Sequence, residues 1–327
     1  MTRVAIPKNR IKELIGSLIK EYRLVAPVKE GPNLQFKIVS NVDDIVLDDE
    51  LAYMSPKEFI FPQTEQIMVF SKDGEVKVNQ STQKTVIFGV RPCDLEALKV
   101  MTAVFTKGKY VDTYFEEKLK DTVLIGLGCK SVKNGCFCAE RGIDKGYSET
   151  CDIFLTENEE GFTAEVISDK GEQLLKAFNF EVSQQQEAVK NELDPNALLE
   201  LNCDEKTLFD TIDWGRISEK CIGCGTCTYI CPTCHCFGFK DVVEKGDAIR
   251  YKCWDSCMYP KFTLHTSGHN PRSSNKERYR QRIMHKYHYV KKNFGYVACT
   301  GCGRCIRSCP AGMNIKSVVK AIMEEIK

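Results

Sequence analysis

The stretch CIGCGTCTYICPTCHCF places six cysteines within sixteen residues, from Cys221 to Cys236. Three cysteines spaced by two residues, then Cys-Pro three residues on, is the spacing by which proteins hold cubane iron-sulfur clusters. Each thiolate takes one iron corner, and glycines in the loop permit positive φ and let backbone N–H groups approach the sulfurs. The device occurs twice, as CIGCGTCTYICP at Cys221 and CTGCGRCIRSCP at Cys299. In two-cluster ferredoxins the fourth cysteine binds the other cluster. By that rule Cys221, Cys224, Cys227 and Cys309 are expected to hold one cluster, and Cys299, Cys302, Cys305 and Cys231 the other. Zinc, the competing metal, takes its cysteines as two separated pairs. A triple with a trailing Cys-Pro, present twice, favours iron and sulfur.

A simple ferredoxin keeps its motifs close, whereas 67 residues separate Cys231 from Cys299. This insertion carries Cys234, His235 and Cys236, then Cys253 and Cys257 around Trp254. Such thiols serve either as a further metal site or as small buried side chains packed around clusters, and free cysteine's tendency to burial favours the second role. PRSSNKERYRQRIMHKYHYVKK is strongly basic, with Glu277 its only acid. Beside clusters of negative charge, it is expected to act as charge compensation or a docking surface rather than a nucleic-acid site. His269, in SGHNPR, is expected to be a loop histidine.

Four more cysteines lie upstream. Cys93 follows the apolar run TVIFGV and Cys129 follows TVLIGL, both of which read as buried strands. If those strands are parallel neighbours, both thiols emerge at the carboxyl edge of one sheet, where open α/β folds place their ligands. Cys136 and Cys138 arrive in the next loop, KSVKNGCFCAERG. Four thiols there suffice for another cubane, although CFC is no standard pattern and a buried cysteine beside a strand is ordinary.

The elements that must position these groups divide near residue 200. Upstream, strand-like and helix-like segments alternate. Ile11, Leu14, Ile15, Leu18 and Ile19 form the stripe of an amphipathic helix, QIMVFSKDGEVKVN reads as a hairpin turning at Asp73-Gly74, and a helix starts at Pro92 with Asp94 as a candidate cap. CDIFLTE and GFTAEVIS flank the turn from Asn158 to Gly161. The fold class is therefore mixed α/β over residues 1–200, a polar connector VSQQQEAVKNELDPNALLELN, and a mainly helical ferredoxin-like dicluster domain over 201–327. Forty-six basic residues balance forty-five acidic ones, so no global charge points to nucleic acid or a membrane surface. Neither a secretion signal nor a bilayer-spanning apolar run is visible, which points to the cytoplasm and its reduced thiols. Gly126-Leu127-Gly128 is only a fragment of a dinucleotide fingerprint, and no phosphate loop occurs. Nicotinamide and flavin chemistry is expected from a partner chain.

Taken together, VIFGVRPCDLEALKV, CFC, CIGCGTCTYICPTCHCF, WDSC, SGHNPR and CTGCGRCIRSCP resemble the iron-sulfur subunit shared by anaerobic sulfite reductases and, as their beta subunit, by soluble sulfhydrogenases. The likeness runs across nearly the full length. It implies an electron-transfer subunit with two 4Fe-4S clusters in the carboxyl-terminal domain and a third in the amino-terminal domain, the latter on Cys93, Cys129, Cys136 and Cys138 by their order. It also implies two partners: a flavin- and NAD(P)H-binding subunit similar to ferredoxin-NADP reductases, and a catalytic oxidoreductase subunit. Catalytic residues of its own are not expected. Cys151, Cys203 and Cys253 match no family element. The alternative is a catalytic iron-sulfur protein whose open cluster is built from Cys234, Cys236 or Cys257. A zinc-stabilised module meeting nucleic acid is the third class.

Overall fold

The computed structural model describes residues 2–78, 83–179, 193 and 198–326. Most of the expected connector, residues 182–192 and 194–197, lies outside the described residues, as does Asn79 of the expected hairpin. The strands in chain order are β1 (Thr2–Pro7), β2 (Arg23–Glu30), β3 (Asn33–Ile38), β4 (Thr64–Phe70), β5 (Val76–Val78), β6 (Thr85–Val90), β7 (Thr122–Leu127), β8 (Ile153–Glu157), β9 (Gly161–Val166), β10 (Phe237–Glu244) and β11 (Asp247–Trp254). The chain divides into two units. The first comprises Met1–Pro56, Thr82–Leu198 and Thr300–Cys302, and the second Lys57–Ser81, Leu199–Cys299 and Gly303–Lys327.

The first unit is built on a seven-stranded mixed sheet of order β1-β9-β8-β7-β6-β2-β3. β2, β6, β7 and β8 run parallel, and β3, β9 and β1 pair antiparallel. Every residue of β6 is buried, as the unbroken run TVIFGV requires of a strand covered on both faces. Helix α1 (Lys8–Glu21) buries Ile11, Leu14, Ile15 and Leu18 of the expected stripe and leaves Ile19 half-buried. Each such side chain removed from water contributes about 1.5–3 kcal/mol. Helix α2 (Pro92–Thr106) follows β6 directly and carries Cys93 in its first turn. Its cap differs from expectation. Arg91 holds the extended cap position, Pro92 is the first helical residue, and Asp94 is buried inside the first turn. A cap must precede the helix in a non-helical conformation, and proline's fixed φ starts this helix before Asp94 is reached. Helices α3 (Thr113–Lys120) and α4 (Asp169–Ala177) complete the unit, capped by Asp112 and Ser168.

The second unit is not made of helices alone. It combines short helices with a four-stranded antiparallel sheet of order β10-β11-β4-β5. β4 and β5 are the expected hairpin, but they extend a sheet whose other strands come from the cysteine insertion. β10 and β11 turn through Lys245 and Gly246, with φ of 52° and 94°. Two successive positive φ values match the right-handed twist of paired strands, and glycine in the second place supplies one without strain. The helices are α5 (Glu205–Asp210), α6 (Trp214–Ser218), α7 (Thr226–Tyr229), α8 (Asn275–Met284), α9 (Val290–Phe294), α10 (Arg304–Arg307) and α11 (Ile315–Glu325). A π-helical turn, His285–Tyr289, joins α8 to α9. Among the described residues, no helix is long and apolar enough to cross a membrane.

Candidate metal centres

The repeated motif imposes the same backbone twice. Gly223 and Gly225 have φ of 70° and 78°, and their counterparts Gly301 and Gly303 have 65° and 73°. Gly225 and Gly303 are the left-handed residues immediately before α7 and α10. An ideal Cβ on Gly225 would stand 2.7 Å from the Tyr259 ring, so only glycine fits beneath it.

In the second unit, Cys221, Cys224, Cys227 and Cys309 line one cavity. Cys305 borders it too, and Met258, Tyr279 and Ile315 supply apolar wall. No three His, Cys, Asp or Glu side chains among the described residues converge closely enough to hold a single ion. Thiols spread along a wall suit a cube that takes one thiolate per iron corner. Arg282 also lines the cavity, and its Nε is buried with no hydrogen-bond partner among the described residues. A buried donor without a partner is costly, so this wall suits an anionic group whose sulfurs accept hydrogen bonds. Four thiols, the glycine-rich loop and this cation fit a 4Fe-4S cluster.

The basic stretch lies largely beneath these loops. Arg278, Arg282 and Lys286, four residues apart, are all buried. Arg282 Nη2 lies 3.5 Å from the Cys227 carbonyl oxygen. Lys286 Nζ lies 3.0 Å from Cys231 Sγ and donates to Thr233 Oγ1 at 2.9 Å and to the Ala298 carbonyl at 2.6 Å. Burial opposes the Lys286 charge, but Cys231, Cys234 and Cys299 outweigh it and move its pKa above the ordinary value. Glu277 closes a capping box with Ser274 at the start of α8. Three of the stretch's cations are therefore buried rather than displayed on a nucleic-acid surface.

The second motif is organised differently. Cys231 and Cys299 both influence Lys286, Cys305 borders the cavity just described, and Cys302 belongs to the first unit. Grouping Cys231, Cys299, Cys302 and Cys305 therefore rests on spacing. The Cys231 thiol is held below its ordinary pKa by Cys234 and then, against burial, by Lys286 and Thr233. Lys57, buried by its surroundings, donates to the carbonyls of Cys231 and Cys234 at 2.8 and 2.9 Å. Sequence reasoning missed Lys57, because nothing local distinguishes it from other lysines.

In the first unit, Cys93, Cys129, Cys136 and Cys138 line a single cavity. β6 and β7 are parallel neighbours, so the chain delivers Cys93 and Cys129 to the same sheet edge. The loop carrying Cys136 and Cys138 is pinned by Phe137, which donates to the Gly301 carbonyl at 2.7 Å, while Cys136 Sγ lies 3.2 Å from the Cys302 carbonyl. Asp49 accepts from the Lys130 and Ser131 amides at 2.8 and 2.9 Å and from Lys133 Nζ at 2.5 Å. Burial works to raise its pKa, but these donors outweigh burial and lower it to about 2. Arg91 donates to the Gly128 carbonyl at 2.7 Å and to that of Asp48. Neither Asp49 nor Arg91 carried a recognisable sequence signal. Burial raises the Cys129 thiol to about 11 and raises Cys138 as well. Four thiols with Arg91 and Lys133 on the cavity wall fit a further cluster in donor chemistry.

The remaining cysteines separate from these sets. Cys236 and Cys257 are free thiols that share a hydrogen bond, which lowers Cys236 to about 7 and raises Cys257. Cys151 is buried and Cys203 half-buried, and burial raises both. His269 is exposed in a turn, its carbonyl accepting from the His265 amide at 2.9 Å.

Paired cysteine motifs, left-handed glycines and inward-facing cations define a protein of the iron-sulfur class, and residues 220–313 match the 4Fe-4S dicluster domain family. Sulfhydrogenase 2 subunit beta of Pyrococcus furiosus is 30% identical over 332 residues, covering 97% of this chain and 95% of that protein. The chain belongs to the family of iron-sulfur electron-transfer subunits that includes the sulfhydrogenase beta subunits. No solved structure matches it significantly.

Proposed function

We propose that this chain relays single electrons through 4Fe-4S clusters between two partner subunits of a cytoplasmic oxidoreductase complex. The observation that carries this reading is the cavity of Cys221, Cys224, Cys227 and Cys309, backed by the buried Arg282. Those four cysteines hold one cluster, and Cys299, Cys302, Cys305 and Cys231 a second, both within a dicluster domain spanning residues 201–327. Cys93, Cys129, Cys136 and Cys138 hold a third cluster in an α/β domain spanning 1–200. One partner carries flavin, is similar to ferredoxin-NADP reductases and reacts with NAD(P)H. The other is catalytic, of the hydrogenase type that the relative's name indicates or of the sulfite reductase type.

A cubane takes one electron at a time and so joins a hydride-linked donor to a one-electron acceptor. This chain's residues hold each cluster's charge and water access constant. Arg282 and Lys286 offset negative charge at the loops, and buried apolar neighbours lower the local dielectric; both shift reduction potential.

Iron, acid-labile sulfide and zinc per chain, measured on anaerobically purified protein, test the reading. About twelve irons are expected, four per cluster. About eight would confine clusters to the dicluster domain, and zinc in place of iron would end the electron-transfer account.

A further inference from the structure

The second unit holds a cleft of about 580 Å³, separate in its lining from the thiol cavity, that the electron-relay reading does not use. This volume lies within the roughly 300–1,000 Å³ typical of small-molecule sites. Tyr229, Phe239, Trp254 and Tyr259 line it, with Lys240 and Lys261.

Its walls are held in place. Trp254 stacks on Phe61 with centroids 5.9 Å apart and planes 19° apart, and its indole N–H donates to the Phe61 carbonyl at 3.1 Å. The Lys57 ammonium sits 4.1 Å from the Trp254 ring centroid. Tyr229 lies 6.2 Å from both Trp254 and Tyr259. Phe239, on the edge strand β10, is 60% exposed, although its ring meets Phe237 edge-on at 5.5 Å. An aromatic ring left this exposed beside two others has apolar faces available to a planar partner.

Polar groups in the same cleft define the remainder of that partner. Asp255 is oriented by the Ser256 amide, which donates to its Oδ1 at 2.7 Å, and lies in the lining as an acceptor for ring N–H or hydroxyl donors. Lys240 and Lys261 are exposed and have no ion-pair partner among the described residues, which suits a terminal phosphate. The Tyr259 hydroxyl lies 3.5 Å from the Cys224 carbonyl oxygen, and its ring covers Gly225. A ring bound against Tyr259 would sit one side chain from the loop of Cys221 to Cys227.

We propose that the cleft bounded by Tyr229, Phe239, Trp254 and Tyr259 binds a flavin nucleotide, with Asp255 meeting ring or ribityl donors and Lys240 and Lys261 the phosphate. Use of the bound ring in electron transfer rests on the cluster reading above, but its binding does not.

Equilibrium dialysis of the anaerobically purified full-length protein against flavin mononucleotide tests this, with iron counted on the same samples so that loss of clusters and loss of flavin binding are told apart. One flavin mononucleotide per chain is expected. Riboflavin, which lacks the phosphate, should bind roughly tenfold more weakly or worse, and adenosine monophosphate should not displace the flavin. Phe239→Ala should weaken both flavins, whereas the double variant Lys240→Ala, Lys261→Ala should weaken only the phosphorylated one. These side chains are exposed, so the variants should fold, and an unchanged iron count checks that they do. No retained flavin, equal affinity for the two flavins, displacement by adenosine monophosphate, or wild-type binding by the variants would each overturn the proposal.

Discussion

In the second unit, Cys221, Cys224 and Cys227 reach their cavity from one short glycine-rich loop, and Cys309 joins them from the second copy of the motif. In the first unit, Cys93 and Cys129 arrive from the ends of parallel strands, and Cys136 and Cys138 from a loop pinned by Phe137, Lys130 and Ser131. Similar donor sets are thus assembled by local spacing in one region and by sheet topology in the other. Their charge environments differ too. Arg282 lines the first of these cavities in a stretch that also buries Arg278 and Lys286, whereas the other is lined by Arg91 and Lys133 alongside the carboxylate of Asp49. Thiols set by a compact motif are recognisable without the fold, and thiols set by strand ends are not.

The largest test of this comparison removes one thiol from each set. Cys227→Ser is expected to lose about four irons, and Cys136→Ser also about four while leaving the other clusters intact. Unchanged iron in Cys136→Ser would leave the upstream thiols structural and break the parallel. Next in size is Lys286→Met, which leaves the buried surroundings of Cys231 without their ammonium. Loss of one partner from a buried charged pair costs about 3–5 kcal/mol, so the variant's melting temperature should fall well below that of the wild type.

A smaller effect separates motif backbone from ordinary loop. Gly225→Ala forces a left-handed residue, costing about 1–2 kcal/mol, and adds the collision with Tyr259. Gly268 has φ of +82° and no heavy atom within 4 Å of an added Cβ, so Gly268→Ala should show the backbone cost alone. Equal melting temperatures for the two variants would remove the steric part of the argument.

The mildest test concerns Asp49. Its folded pKa of about 2 lies below the roughly 3.9 of an unfolded aspartate. Stabilisation is therefore fully present above the unfolded value and is lost as pH falls towards about 2. Protection factors at the Lys130 and Ser131 amides, which discount the intrinsic slowing of exchange at low pH, should fall on descending through that window, and Asp49→Asn should show lower protection already at neutral pH. Protection indifferent to both changes would detach Asp49 from the loop.

Much of this was legible from residue order. The cysteine triplets dictate short loops because their spacing matches a cube's corners, and the Ile11 to Leu18 stripe forms a buried helical face because its period is that of a helix. The uninterrupted runs of β6 and β7 become central strands because only burial on both faces suits them. Less visible was the β10–β11 hairpin, whose turn signal of Lys245-Gly246 lies within a segment dominated by its cysteines. The Asp94 expectation failed because proline started the helix earlier.

What the sequence determined by itself is chemistry carried by neighbours in the chain: two cysteine motifs, the glycines that bend within them, and the family to which they belong. Tertiary structure decided which distant groups meet. It gathered Cys93 and Cys129 at one sheet edge, set Asp49 on the following loop, joined β4 to strands of the cysteine insertion, and turned Arg278, Arg282 and Lys286 inward. Those choices depend on burying apolar faces and on pairing charges across long stretches of chain. Local propensity carries no record of partners so far away.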